Sequence, residues 1–235
     1  DTLACDSPGD GGLDVPVCTS TPLKHPSGRR SAIHGNKGVN KNLKVISVNV
    51  NSLRGKSVQM LELIFSEDPD IILCQETKVD SSVLSSELFP DTFTVFRRDR
   101  NLDGGGVCIA VSKRVQAIEC HDLSNELEAV WIQLLTADHS LVYFCSIYRP
   151  PGVHSEHIEL LKTPMEIISN KHRNNPPLIV IAGDLNYRHI VWSSNSAPSV
   201  GEGSNFIDIL NDFHLHQLVD GPTRFCRTIS PLSTW

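Results

Sequence analysis

From residue 43 onward, short apolar runs alternate with stretches of helical spacing. LKVISVNV (43–50) and IILCQ (71–75) predict strands, and between them Met60, Leu61, Ile64 and Phe65 mark one face of a helix over 57–66. A short helix is predicted near 81–88. Four strand-like runs follow with little helix between them: TFTVFRR (92–98), GGVCIAVS (105–112), AVWIQLL (129–135) and LVYFCSIY (141–148). A helical stretch over 155–173 is expected to be interrupted by Pro164. PLIVIAGD (177–184) predicts a further strand, NFIDILNDF (205–213) a last helix and HQLVD (216–220) a short strand.

Consecutive strands imply antiparallel pairing. Strand–helix–strand nevertheless occurs twice, over 43–75 and over 141–184. That duplication predicts an α/β fold of two similar mixed sheets packed face to face, with helices outside. Residues 1–42 differ. They hold six glycines and four prolines without apolar periodicity, and read as a disordered leader or linker before a domain spanning 43–235.

Charge changes the picture. The formal net charge is −6, which excludes a protein that holds nucleic acid by bulk positive charge. Any contact with DNA has to be local, for instance through a metal ion held by the chain's own carboxylates. The seven cysteines show no CxxC pair and no regular spacing. Zinc and a disulfide framework are therefore not predicted. Cys74, Cys108 and Cys145 lie in apolar runs, where buried reduced thiols sit. No run approaches the roughly 18 apolar residues of a membrane span, so no membrane partner is expected. Asp1, Asp6, Asp10 and Asp14 break any signal-peptide pattern. The chain opens on Asp and is expected to be a fragment of a longer reading frame.

Candidate chemistry gathers at strand ends. The predicted strands deliver Asn49, Gln75-Glu76, Tyr148 and Asp184-Leu185-Asn186 at their C-terminal ends, where α/β sheets bind ligands. Singly, each has a plain explanation. Glu76 could pair with Lys78, and Asp184 could cap a turn or helix. Asn49 and Asn51 could be turn residues, and Tyr148 an amphipathic rim residue. Together, two carboxylates, two amides and a phenol make a site for a hard metal and a phosphate.

The motifs VNVNSL (48–53), CQETK (74–78), GGGVCIAV (104–111), SIYRPP (146–151) and GDLN (183–186) resemble the endonuclease/exonuclease/phosphatase superfamily. Trp192 and QLVDGPTR (217–224) are similar to its apurinic-type endonuclease branch from non-LTR retrotransposons. The resemblance implies a DNase I-like, four-layer αββα sandwich. It implies Glu76 as main ligand of Mg²⁺, with Mn²⁺ as a possible substitute, and Asn49 supporting metal and scissile phosphate. Tyr148 would hydrogen-bond the phosphate. Asp184 would orient or deprotonate the attacking water or protonate the leaving group, and Asn186 would position that water. Thr223 would contact the DNA backbone or support the site. DNA is the implied partner, with a reverse transcriptase domain in the same parent polyprotein, in the nucleus.

GDLN has Leu185 where the family pattern has Phe, a packing change. His189, His214 and His216 stand at positions that do not match a catalytic base of the family. After Pro222-Thr223-Arg224 comes FCRTISPLSTW, without the Asp strand and Ser-Asp-His strand that the resemblance implies. The expectation is a domain lacking its final strands, by a frameshift or false exon near Arg224, and impaired or inactive. Its alternatives are a binding remnant or another phosphoesterase of the superfamily, an abasic-site nuclease or a lipid or inositol phosphatase.

Overall fold

The computed structural model describes residues 43–219 except 137–138, 153–155, 188, 195 and 198–200. The expected leader and Thr223 lie outside the described residues. Strands β1 (Val45–Asn49) and β2 (Ile71–Gln75) run parallel, joined by helix α1 (Ser57–Glu67). After the short helix α2 (Ser85–Leu88), strands β3 (Phe93–Arg98) and β4 (Val107–Ser112) complete a sheet of order β1-β2-β4-β3. Strands β5 (Ala117–Glu119), β6 (Glu128–Leu135), β7 (Leu141–Tyr148) and β8 (Leu178–Asp184) form the second sheet in chain order. Helix α3 (Glu156–Lys171) connects β7 to the parallel β8. Helix α4 (Glu202–Asp212) follows.

The layers follow from alternation along the strands. In β2, Ile71 and Leu73 face one way and Ile72 and Cys74 the other. The first pair packs between the sheets against Val130, Ile132, Val142 and Phe144. The second pair packs outward beneath Met60 and Leu63 of α1. On the far side, Trp131, Tyr143, Cys145 and Ile147 pack under Ile158, Leu161, Met165 and Ile168 of α3 and under Phe206 and Ile209 of α4. The result is helix, sheet, sheet, helix. Two buried side chains pin the sheets together. Gln75 Nε2 donates to Ser146 Oγ at 3.1 Å, and that hydroxyl donates to the Cys74 carbonyl at 3.1 Å.

Several expectations need correction. In α1 the core side chains are Met60 and Leu63, and Phe65 is 82% exposed. A 100° step carries Leu61 and Phe65 well away from Met60, whereas 60, 63 and 64 share a face. α3 runs through Pro164 uninterrupted. Proline lacks the N–H that would bond the Leu160 carbonyl, and the Asn125 side chain supplies a donor to that carbonyl at 2.6 Å. Residues 215–219 form no strand. β5 and a 3-10 turn at His121–Leu123 were not foreseen, being short and flanked by polar residues. Cys74, Cys108, Cys120 and Cys145 are free and buried, as the apolar runs implied for the first, second and fourth.

Candidate active site

β1, β2, β7 and β8 bring their C-terminal ends to one edge of the sandwich. Parallel pairing sets Asn49 opposite Gln75, and Tyr148 opposite Asp184. Asn49 joins the two sheets. Its Nδ2 donates to Glu76 Oε1 at 2.8 Å and to Asp184 Oδ2 at 3.1 Å. Its Oδ1 accepts from the Asn51 amide at 3.1 Å, which turns the NH₂ side toward the carboxylates. The two acids, from different sheets, therefore share one amide.

Glu76 is held by its backbone. It has a left-handed φ of 52°, which is costly for a residue with a Cβ. Ser52 N–H donates to its carbonyl at 2.7 Å, and Val50 and Leu53 N–H groups hold Gln75 and Thr77. Across the other edge, Thr77 and Lys78 N–H groups bond the Gly106 and Gly105 carbonyls. Gly106 has φ 82°, and a Cβ there would collide with the Thr77 hydroxyl oxygen. This explains part of the GGGV motif: the loop must pass close behind Glu76. In GDLN, Gly183 sits opposite Ile147, and a Cβ would overlap the Ile147 carbonyl. Asn51 and Asn186 also have φ near the left-handed region, at 42° and 51°, which asparagine tolerates best among residues with a Cβ.

Asn186 lies beside Asp184 and donates its Nδ2 to the Arg149 carbonyl at 2.8 Å. Tyr148 is 7% exposed and belongs to the core between the sheets, not to the rim. Burial, then the charges of Glu76 and Asp184, push its phenol above the usual tyrosine range. Sequence reasoning missed two further neighbours, Glu128 and Lys56. Glu128 pairs across the β6–β7 ladder with Tyr148, accepts from Gly106 N–H and holds Arg100 at 2.7 Å. Lys78 stands 3.9 Å from Glu76, as the plain reading of that residue implied, and donates to Asn51 Oδ1 at 2.6 Å. Lys56 donates to the Val50 carbonyl, and burial followed by Lys78 lowers its pKa. Lys56 lies beside a strand-end motif, whereas Glu128, at the start of β6, carries no such signal. His214 and His216 are exposed, as is His189.

The donor set, two carboxylates and an amide, has the chemistry of a hard-cation site. Among the described residues no three His, Cys, Asp or Glu side chains form a metal-binding group. Two convergent carboxylates beside an amide match Mg²⁺, which takes one or two carboxylates and keeps waters.

Residues 142–234 match the family described as Endonuclease-reverse transcriptase. No curated protein matches the chain significantly. Among solved structures, the endonuclease domain of TRAS1, a telomere-specific non-LTR retrotransposon, is similar at 18% identity and a TM-score of 0.57, covering 77% of this chain and 74% of that one. The 3′ phosphatase NExo from Neisseria, solved with a product DNA hairpin, is similar at 18% identity and a TM-score of 0.50, covering 73% and 71%. The family match spans less than half of the chain, and the likeness to these solved structures shows the fold, a DNase I-like sandwich of two mixed sheets.

Proposed function

We propose that the chain is a Mg²⁺-dependent DNA endonuclease domain of a retrotransposon-derived protein, with Mn²⁺ able to replace Mg²⁺. It hydrolyses one phosphodiester and leaves a 3′-hydroxyl. That end primes a reverse transcriptase domain of the same parent polyprotein, in the nucleus. The observation that carries the reading is the Asn49 amide shared by Glu76 and Asp184. The family description of residues 142–234 supports it.

Glu76 would hold the cation, and Asn49 would join it on turning its oxygen from the Asn51 amide. A bound divalent cation offsets charge that builds on the phosphate oxygens. While its oxygen stays on the Asn51 amide, the Asn49 NH₂ group bridges the two carboxylates. Asp184, across from Glu76, takes the proton of the attacking water or returns one to the leaving oxygen. Asn186 fixes the turn beside it. The raised pKa of Tyr148 keeps its phenol protonated at neutral pH, so it donates a hydrogen bond to a phosphate oxygen. Thr223 contacts the DNA backbone.

The test is nicking of supercoiled plasmid with Mg²⁺ or Mn²⁺, followed by polymerase extension of the nick. Nicking, weak as the sequence implies, is expected to require metal, to stop with EDTA and to fall at least about 100-fold in Glu76→Ala and Asp184→Ala. Equal nicking by wild type and both variants would overturn the reading. Nicks that polymerase extends only after phosphatase treatment would remove the priming role. Release of phosphate from 3′-phosphorylated ends without nicking would make it a phosphatase instead.

A further inference from the structure

The described residues hold a second polar cluster, directly behind the turn that carries Asp184 and Asn186. Arg149 follows Tyr148 at the end of β7 and is only 3% exposed. Its main chain belongs to the catalytic turn. The N–H donates to the Asp184 carbonyl at 2.9 Å, and the carbonyl accepts from Asn186 Nδ2 at 2.8 Å. Its side chain then returns to the same turn. Nη1 donates to the Leu185 carbonyl at 3.4 Å, and the guanidinium stands 4.4 Å over the Tyr187 ring. Four consecutive residues, 184 to 187, thus meet one arginine.

The far end of that arginine is tied to α4. Nη2 forms an ion pair with Glu202, in the helix's first turn. Tyr187 stacks on Phe206 of the same helix, with ring centroids 4.6 Å apart, and Trp192 meets Phe206 edge-on. His157 of α3 is buried nearby with neither ring nitrogen hydrogen-bonded. Burial, then Arg149, lowers its pKa, so it stays neutral at neutral pH.

An ion pair between a buried arginine and a partly exposed glutamate is a poor source of stability, because desolvation and solvent screening offset most of the attraction. Its better-attested use is to fix one arrangement among several. Here the arrangement fixed is the turn of Asp184 and Asn186. Resting on the catalytic reading above, we propose that Arg149 is a positioning residue for Asp184 and Asn186, set in place by Glu202. The seating of α4 then governs the geometry of the catalytic turn. Arg149 itself touches no reacting atom. The planar fork matters as well as the charge, since one face lies on Tyr187 while two edges bond Leu185 and Glu202.

The experiment compares Arg149→Met, Arg149→Lys and Glu202→Gln with wild type in the full chain. Folding is checked by circular dichroism. Two readouts are taken: kcat and KM for nicking a short duplex, and the Asn186 side-chain amide resonance in a chain carrying ¹⁵N-asparagine. In Arg149→Met and Glu202→Gln, kcat should fall about 10- to 100-fold while KM changes less than about threefold. The Asn186 resonance should move in both. Arg149→Lys should recover only part of kcat. The double variant should be no worse than Arg149→Met, because both changes break one device. A folded Arg149→Met or Glu202→Gln chain with an unmoved Asn186 resonance overturns the proposal, whatever its melting temperature. Should Arg149→Met fail to fold, Glu202→Gln decides, since Glu202 is partly exposed. Should wild type fail to nick DNA, the endonuclease reading falls, and the Asn186 resonance alone still decides whether Arg149 sets the turn.

Discussion

Asn49 and Asp184 are 135 residues apart in the chain, and their side chains meet at 3.1 Å across two sheets. Neither strand could make the contact alone. β1 places the amide and β8 the carboxylate, and the face-to-face packing of the sheets closes the distance.

Replacing Asn49 with Ala removes the donor common to Glu76 and Asp184. Asn49 is exposed, so the fold should persist with an unchanged circular dichroism spectrum. The nicking rate should fall about 10²- to 10³-fold, the usual cost of one oriented donor at a charged site. A rate within threefold of wild type would show that the bridge has no part in the chemistry.

Asn125 mends the helix at Pro164. Asn125→Ala strips the Leu160 carbonyl of its donor and the Leu127 N–H of its acceptor. The expected loss is about 1–3 kcal/mol in urea unfolding. Adding Pro164→Ala should recover part of it, because an N–H then reaches Leu160 from within the helix. No recovery in the double variant would refute this account.

Ser146→Ala should cost about 1–3 kcal/mol by leaving the buried Gln75 amide short of a partner. Gln75 precedes Glu76, so the variant also tests whether the pin between sheets steadies the metal ligand. A loss below about 0.5 kcal/mol in the urea midpoint analysis would mean that Gln75 finds another acceptor.

His157 makes stability depend on pH. Burial, then Arg149, lowers its pKa from 6.5 to about 4. The unfolded chain therefore takes up a proton between those values that the folded chain refuses. Stability should fall as pH drops from 6.5 toward about 4, by up to roughly 3 kcal/mol. His157→Leu should flatten that slope against wild type, with carboxylate contributions common to both. Parallel curves for the two proteins would contradict the assignment.

The sheet frame was readable because its strands are distinctive. Ile71–Gln75 and Leu141–Tyr148 are continuous apolar runs, and the observed strands have those same bounds. The face of α1 was misread because Leu61 and Phe65 are apolar yet point away from the sheet. α4 begins at Glu202, three residues before the predicted start. Gly203 and Ser204 are weak helix formers, and the pairing of Glu202 with Arg149 lies beyond any local pattern. The same distance hid the cluster behind the catalytic turn. Arg149 and Glu202 are 53 residues apart, and nothing beside either announces the other. Asn49, Glu76, Tyr148, Asp184 and Asn186 stood out as candidates because each lies at or within two residues of a strand end. Of these, Asn186 faces the Arg149 carbonyl with its NH₂ group, an orientation no spacing encodes.

Among the described residues, β1 and β8 stand at the ends of their sheets, and each carries one member of the bridged trio. Sliding one sheet by a single residue, about 3.3 Å, would part Asn49 from Asp184 without breaking any ladder. The site is thus a vernier for the stack of sheets. On the proposed reading, nicking should vanish in denaturant while both ladders still stand.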